Sequence, residues 1–270
     1  MVRGPAVRGL RVIATTLLVY LAAVAAVFGL QLVAVTALVT RRAGTFDLER
    51  DGLAALLVGV PASSLGLIAA ACLAAGSPRR ERLRWLPPRA SARAILAMIV
   101  GILALSQALE SLALLVGVGP GANLDWIART LATATPLTLA LAALVVGGLA
   151  PVGEELFFRG FMLTRLRRVW SAGPAIVVTA LAFGLIHGEW VHGLLATGIG
   201  LYLGLVTERS GSLIPAVICH VANNTVSVLL SAAIGPPQGP VLNAGLFAAT
   251  ALVFATSLRW LPAPEAAEAG

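Results

Sequence analysis

The sequence predicts an all-α polytopic membrane protein with about eight transmembrane helices. Of its 270 residues, 59% are apolar and 11% are charged, whereas an average soluble domain has about 25% charged residues. The charged residues fall between long apolar runs, several of which reach the roughly 20 residues that a helix needs to cross a bilayer. Only helices and closed barrels satisfy the backbone in lipid, and barrel strands would alternate, so helices are predicted.

Eight apolar runs are candidate transmembrane helices. They cover residues 12–39, 53–75, 92–118, 130–158, 173–188, 190–207, 212–234 and 240–258. The first run follows a basic N-terminus but is far longer than the 7–15 residues of a signal-peptide core, so we expect it to remain as a helix. The fifth and sixth runs are so close that a tight outer turn must join them.

The basic residues predict the orientation. All 19 are arginines, and with the N-terminus inside, all but Arg41, Arg42, Arg50 and Arg129 lie on the cytoplasmic side. This asymmetry predicts that both termini are inside. Arginines at the ends of apolar runs fit membrane orientation better than nucleic-acid binding, so no nucleic-acid partner is expected. The Arg-, Ala- and Gly-rich composition without lysine indicates a bacterial protein, and therefore the bacterial plasma membrane.

Three regions are predicted along the chain. Residues 1–90 would hold two transmembrane helices and an arginine-rich cytoplasmic linker. Residues 91–260 would form a catalytic domain of six helices. The tail, residues 261–270, is rich in Pro, Ala and Glu and is expected to be disordered.

Polar side chains interrupt the later apolar runs. They are Glu154, Glu155, Arg159, His187, His220, Asn223 and Asn224. An ionisable group at the centre of a membrane helix costs about 2.5–3.5 kcal/mol on insertion scales, so it indicates function by default. At 1.5 Å per residue, Glu154, His187 and His220 lie roughly 14–21 Å from the inner ends of their helices. Three helices therefore bring polar groups to one depth.

Helical spacing predicts which of these side chains face one another. Glu155 and Arg159 are four residues apart and can form an ion pair, for which we favour an orienting role over direct catalysis. Glu154 is rotated by about 100° from Glu155 and can face a different neighbour.

The same spacing recurs on the later helices. His220 and Asn224 share a face and can serve one site. Phe183 lies four residues before His187 and can wall the pocket beside its imidazole.

Together these residues form three motifs in chain order. They are Glu154-Glu155-x-x-x-Arg159, Phe183-x-x-x-His187 and His220-x-x-x-Asn224. The motifs resemble those of the CPBP family, which contains the CAAX prenyl proteases and the bacterial Abi-type, bacteriocin-associated membrane proteins. The resemblance covers about residues 145–232, roughly a third of the chain. Each motif alone is weak, but three in order on successive segments are fairly specific.

The resemblance implies an intramembrane endopeptidase. Glu154 would be the general base that activates a water molecule. His187, His220 and Asn224 would position that water and stabilise the oxyanion, or hold a metal, with Glu155, Arg159 and Phe183 in support. The implied substrate is a membrane-embedded or lipid-modified peptide in the lipid bilayer.

A divalent metal is a second expectation. The imidazoles of His187 and His220 together with the Glu154 carboxylate could hold zinc, although the H-E-x-x-H motif of zinc proteases is absent. His187 and His192 are five residues apart and would not share a helix face. His192 and Glu189 are therefore predicted to be turn residues at the outer surface.

Two other classes of function fit the same residues. One is a non-proteolytic immunity or scaffold protein that binds a partner through these helices, a role that should survive Glu154→Gln. The other is a transporter with Glu154 as the carrier, which flux into liposomes would reveal. The missing internal repeat counts against transport.

Overall fold

The computed structural model describes residues 5–42, 45 and 47–263, and every regular element in these ranges is helical. The predicted all-α class is therefore confirmed. The helices are α1 (Pro5–Arg41), α2 (Leu48–Ala75), α3 (Arg79–Arg82), α4 (Ala92–Leu115), α5 (Ala122–Ala132), α6 (Pro136–Leu166), α7 (Ala172–Leu185), α8 (Trp190–Ser210), α9 (Ile214–Ala233) and α10 (Pro240–Ser257). A 3-10 turn, Leu258–Trp260, follows α10.

The helix lengths are those of a multi-pass membrane protein. Within the described ranges, seven helices are long and apolar enough to cross a bilayer, namely α1, α2, α4, α6, α8, α9 and α10. The remaining predicted segment, 173–188, forms α7, which has only 14 residues. At 1.5 Å per residue α7 is about 21 Å long, shorter than the roughly 30 Å hydrocarbon core.

The fourth transmembrane helix differs from its predicted range of 130–158. Its start is set at Thr135, whose hydroxyl oxygen accepts a hydrogen bond from the Thr138 amide, and at Pro136, which suits the first helical position. Its end lies beyond the predicted one because Arg159, a charge that interrupts the apolar run, is neutralised inside the protein by Glu155. Helix α6 therefore continues past Glu155 and Arg159, whose charged side chains are buried, instead of ending before them.

Helix α6 is irregular at its centre. Two π-helical stretches, Ala143–Leu149 and Leu156–Leu163, flank a short α-helical piece, Ala150–Glu155. Pro151 has no amide hydrogen, so the regular pattern of backbone hydrogen bonds cannot continue through it. π-helical turns inside α-helices occur mostly at functional sites, and the piece between these two turns carries both glutamates.

Two glycines let α6 approach its neighbours closely. A Cβ atom on Gly153 would lie 2.9 Å from the backbone oxygen of Ser64 in α2. A Cβ atom on Gly147 would lie 2.6 Å from the hydroxyl oxygen of Thr225 in α9. Small residues at such crossings are typical of membrane helix packing, and here they bring α2 and α9 against the irregular part of α6.

The arginine-rich linker is bound to the rest of the protein. The Arg89 amide donates to the Ser210 oxygen at 2.9 Å. The Glu208 carboxylate pairs with Arg84 at 2.5 Å and with Arg167 at 2.8 Å. The linker therefore lies along the ends of α6 and α8. The division at residue 90 stays a prediction, and of the predicted disordered tail, residues 264–270 lie outside the described ranges.

Candidate active site

Two neighbouring carboxylates of α6 face the imidazole of His220 in α9. The Glu155 Oε1 atom lies 2.9 Å from Nδ1 of His220, within hydrogen-bond distance. The Glu154 Oε2 atom lies 3.7 Å from Nε2 of the same ring. Each ring nitrogen thus has a carboxylate beside it. The structure brings together Glu154 and His220, which lie 66 residues apart on separate helices.

The two glutamates differ in exposure. The Glu154 side chain is 20% exposed, whereas that of Glu155 is fully buried. A water molecule or a substrate can therefore reach Glu154 but not Glu155. This difference follows from the 100° rotation between successive residues of a helix.

Glu155 is held by a buried cation. The Arg159 Nη1 atom donates to Glu155 Oε1 at 2.5 Å, and Nη2 donates to the backbone oxygen of Gly200 at 3.0 Å. Both side chains of the ion pair are fully buried. Because an isolated buried charge is costly, the pair is held as a unit. The pairing of Glu155 with Arg159 has the predicted spacing, but the hydrogen bond that Glu155 accepts from His220 was not predicted.

Phe183 of α7 links the two imidazoles of the site. Its ring lies edge-on to His187, with centroids 5.0 Å apart, and edge-on to His220, at 5.7 Å. The Arg159 guanidinium lies over the same ring, 4.6 Å from its centroid. The predicted wall beside His187 is therefore a shared wall, which also contacts His220 and Arg159.

His187 lies in the turn that follows α7. Its Nδ1 atom is 2.8 Å from the Phe183 oxygen, and a carbonyl oxygen only accepts, so Nδ1 carries the hydrogen. In the neutral form of this ring, Nε2 is the nitrogen that can accept a hydrogen bond. Asn123 of α5 donates to the His187 backbone oxygen at 3.2 Å and so ties this turn to the outer helix.

Asn224 lies one turn after His220 on α9. Its side-chain amide donates to the Val146 oxygen at 3.4 Å, and Val146 lies in the first π-helical stretch of α6. Its Oδ1 atom accepts a hydrogen bond from Asn223 at 3.3 Å. Asn223 is the more buried of the two amides. The Asn224 side chain therefore bridges α9 and the first π-helical stretch of α6, which precedes the piece that carries Glu154 and Glu155.

The prediction for His192 was wrong. His192 lies in the first turn of α8, and its ring centroid is 4.3 Å from that of His187. The prediction applied helical spacing across the turn that the sequence also predicts here, and residues five apart diverge only within one helix. Helix α7 ends at Leu185, and Gly188, with a φ of 70°, turns the chain into α8. Positive φ is the conformation that glycine adopts most readily.

Glu189 is the N-cap of α8 rather than a simple surface residue. Its carboxylate accepts hydrogen bonds from the amides of Val191, at 2.8 Å, and of His192, at 3.1 Å. A carboxylate in this position satisfies amides at the start of a helix that have no helical partner.

The predicted zinc ligands do not form a three-donor group. Among the described residues, no three His, Cys, Asp or Glu side chains are placed to hold a metal ion. His220 directs its nitrogens to the two glutamates, and His187 engages Nδ1 with a backbone oxygen. Zinc binding stays a prediction, which metal analysis of active protein and its sensitivity to chelators would test.

Residues 136–226 match the family model described as Rce1-like, type II CAAX prenyl endopeptidase. This match supports CPBP family membership for residues 136–226, which we call the CPBP segment. The CPBP segment begins at the first residue of α6 and ends inside α9. It therefore contains both glutamates and the three histidines, and the family resemblance of the motifs is confirmed.

A curated protein of Escherichia coli with the name "Uncharacterized 24.3 kDa protein" is also similar to this chain. The two are 34% identical over 95 residues, which make up 33% of this chain. The match spans 43% of the relative, less than half of its length. No solved structure matches the chain significantly.

Proposed function

We propose that this protein is an intramembrane endopeptidase that hydrolyses a peptide bond with a water molecule activated by Glu154. The observation that carries the proposal is the accessible Glu154 carboxylate beside the His220 imidazole, whose other nitrogen is held by buried Glu155. Both groups lie on helices of transmembrane length and in the CPBP segment. An accessible carboxylate next to an oriented imidazole is suited to general acid–base catalysis.

Glu154 and His220 can share the proposed water molecule. At 3.7 Å, Oε2 of Glu154 and Nε2 of His220 are too far apart for a direct hydrogen bond, so both atoms remain available to a water molecule beside them. In the reaction, Glu154 takes a proton from water as the water oxygen attacks the carbonyl carbon. The C–N bond then breaks, and Glu154 returns the proton to the leaving amine.

The remaining polar residues have supporting roles in the proposal. His187, whose Nε2 accepts in the neutral ring, positions the water together with His220 and Asn224. The oxyanion that forms at the carbonyl is stabilised by the Asn224 amide and by an imidazole whose Nε2 carries a hydrogen. Donors aimed at a developing oxyanion each contribute about 10²–10³ in rate. Glu155 and Arg159 act indirectly. Glu155 holds His220 through its Nδ1 atom, and Arg159 holds Glu155.

The proposed substrate is a membrane-embedded or lipid-modified peptide, cleaved in the plasma membrane of a bacterium. A site on transmembrane helices is reached most directly from the bilayer. The family description names a CAAX prenyl endopeptidase, so a peptide with a farnesylated C-terminal cysteine motif is one probe. A peptide of about 20 apolar residues with polar ends is the other.

Cleavage by purified protein in lipid nanodiscs tests the proposal. We expect the wild-type protein to cut at least one of the two probes and Glu154→Gln to lower kcat by about 10²–10⁴. Glu110→Gln is the matched control, since Glu110 is a carboxylate of another transmembrane helix, α4. Equal cleavage by wild-type protein and Glu154→Gln would contradict the proposal. A biological role that survives this variant would favour the scaffold function.

A further inference from the structure

His192 contributes a third imidazole at the site, outside the three motifs. Its ring and that of His187 are 4.3 Å apart between centroids and inclined by 59°. His187 also meets Phe183, edge-on at 5.0 Å. The His187 imidazole thus contacts two rings, one from α7 and one from α8.

These contacts matter because His187 has a single side-chain hydrogen bond, from Nδ1 to the Phe183 oxygen, in the described part of the chain. One hydrogen bond selects the tautomer but leaves the ring able to tilt about it. Its contacts with two neighbouring rings restrict that tilt. Catalytic side chains need such support, since errors of about 1 Å can lower rates by about 10²-fold.

His192 is itself held firmly. Its amide and that of Val191 donate to the Glu189 carboxylate, which closes the first turn of α8. Close packing of α7 on α8 fixes this turn against the site, because a Cβ atom on Gly184 would collide with Thr197 and with the backbone of Gly193. The backbone that carries the His192 ring is therefore fixed in place.

The contact between His192 and His187 is one between their rings, and Nδ1 of His192 takes no part in it. The Nδ1 atom of His192 is buried and has no hydrogen-bond partner among the described residues. A buried polar atom without a partner is unfavourable, so another aromatic ring of similar size should fill the position as well.

We propose that His192 is a positioning residue whose ring holds the His187 imidazole in its productive orientation. This inference rests on the proposed endopeptidase function. His192→Leu removes the neighbouring ring, whereas His192→Phe keeps it. We expect His192→Leu to lower kcat by roughly tenfold to a hundredfold with little change in KM, and His192→Phe to retain most of kcat.

A second measurement does not depend on cleavage. The chain has three histidines, so nuclear magnetic resonance of protein with isotope-labelled histidine and no histidine tag reports each imidazole. We expect His192→Leu to shift or broaden the His187 ring signals and His192→Phe to leave them sharp. Trp190→Leu is the matched control, because Trp190 lies in the same helical turn with 68% of its surface exposed.

The outcomes separate the two proposals. Unchanged kcat and unchanged His187 signals in His192→Leu would overturn the positioning role. Loss of activity in His192→Phe equal to that in His192→Leu would also overturn it, because the nitrogen would then be the required group. If Glu154→Gln cleaves as well as the wild-type protein, the endopeptidase proposal fails, whereas the histidine signals still decide whether His192 orders His187.

Discussion

The Glu155 carboxylate accepts hydrogen bonds from two buried side chains, Arg159 and His220. This makes it the connection between a structural ion pair and the proposed catalytic histidine. Its second oxygen, Oε2, has no partner within the described ranges, and both hydrogen bonds reach Oε1. At the scale of single residues, the site is thus a chain of contacts that runs from Arg159 through Glu155 to His220.

Removing one member of this buried pair should cost more than removing both. Arg159→Met leaves the Glu155 charge buried without a partner, and we expect a loss of about 3–5 kcal/mol in the free energy of unfolding. The double variant Glu155→Gln, Arg159→Met removes both charges and should recover most of that stability. Its cleavage rate should stay low, because the charged carboxylate that holds His220 is gone. Denaturation in detergent together with a cleavage assay measures both quantities.

The result for the double variant is the informative one. Recovered stability together with recovered activity would show that Glu155 has no role in positioning His220. A single Arg159→Met variant as stable as wild type would show that the pair is not buried as a unit.

At the scale of helices, glycines set the distances on which the site depends. Gly200 of α8 presents its backbone oxygen to Arg159, and a Cβ atom there would lie 3.1 Å from Arg159 Nη2 and 3.1 Å from the Cα atom of Ala180. Helix α8 is therefore packed directly against α7 and against the guanidinium of α6. The two π-helical stretches of α6 also shape the site. The piece between them presents Glu154 and Glu155 to His220 of α9.

Gly200→Ala should therefore disturb the site through packing alone. We expect a loss of about 1–3 kcal/mol in stability from overpacking and a lower cleavage rate, because Arg159 must move. Gly245→Ala in α10 is the matched control, since a Cβ atom there meets nothing within 4 Å. The control should be neutral or slightly stabilising, by about 0.5–1 kcal/mol. Equal melting temperatures for the two variants would argue against close packing at Gly200.

At the scale of the whole molecule, the arginine-bearing helix ends meet in one layer. Arg84 of the linker and Arg167 after α6 share Glu208 of α8. Arg165 at the end of α6 donates to Thr15 near the start of α1 at 2.9 Å. The Arg93 guanidinium lies 4.0 Å from the ring centroid of Trp260, after α10. These contacts place the ends that are predicted to be cytoplasmic beside one another.

This layer leads to a topology prediction. Fusions of a fluorescent reporter that folds only in the cytoplasm should be bright at both termini, since arginine-rich ends stay inside. A fusion within the loop between α4 and α5, near Gly119, should be dark. Alkaline phosphatase fusions should give the opposite pattern. A bright reporter at only one terminus would mean an odd number of crossings and would contradict the predicted orientation.

The sequence by itself determined the class of the protein, the approximate positions of its helices and the polar residues at the site, because apolar length and misplaced charges are local properties. Only the tertiary structure decided how those residues meet. The pairing of Glu155 with His220, the shared wall formed by Phe183 and the contact between His187 and His192 all join different helices. The last contact needs the chain turn at Gly188. The sequence predicts a turn between the two apolar runs, but it does not predict that this turn brings the rings of His187 and His192 together.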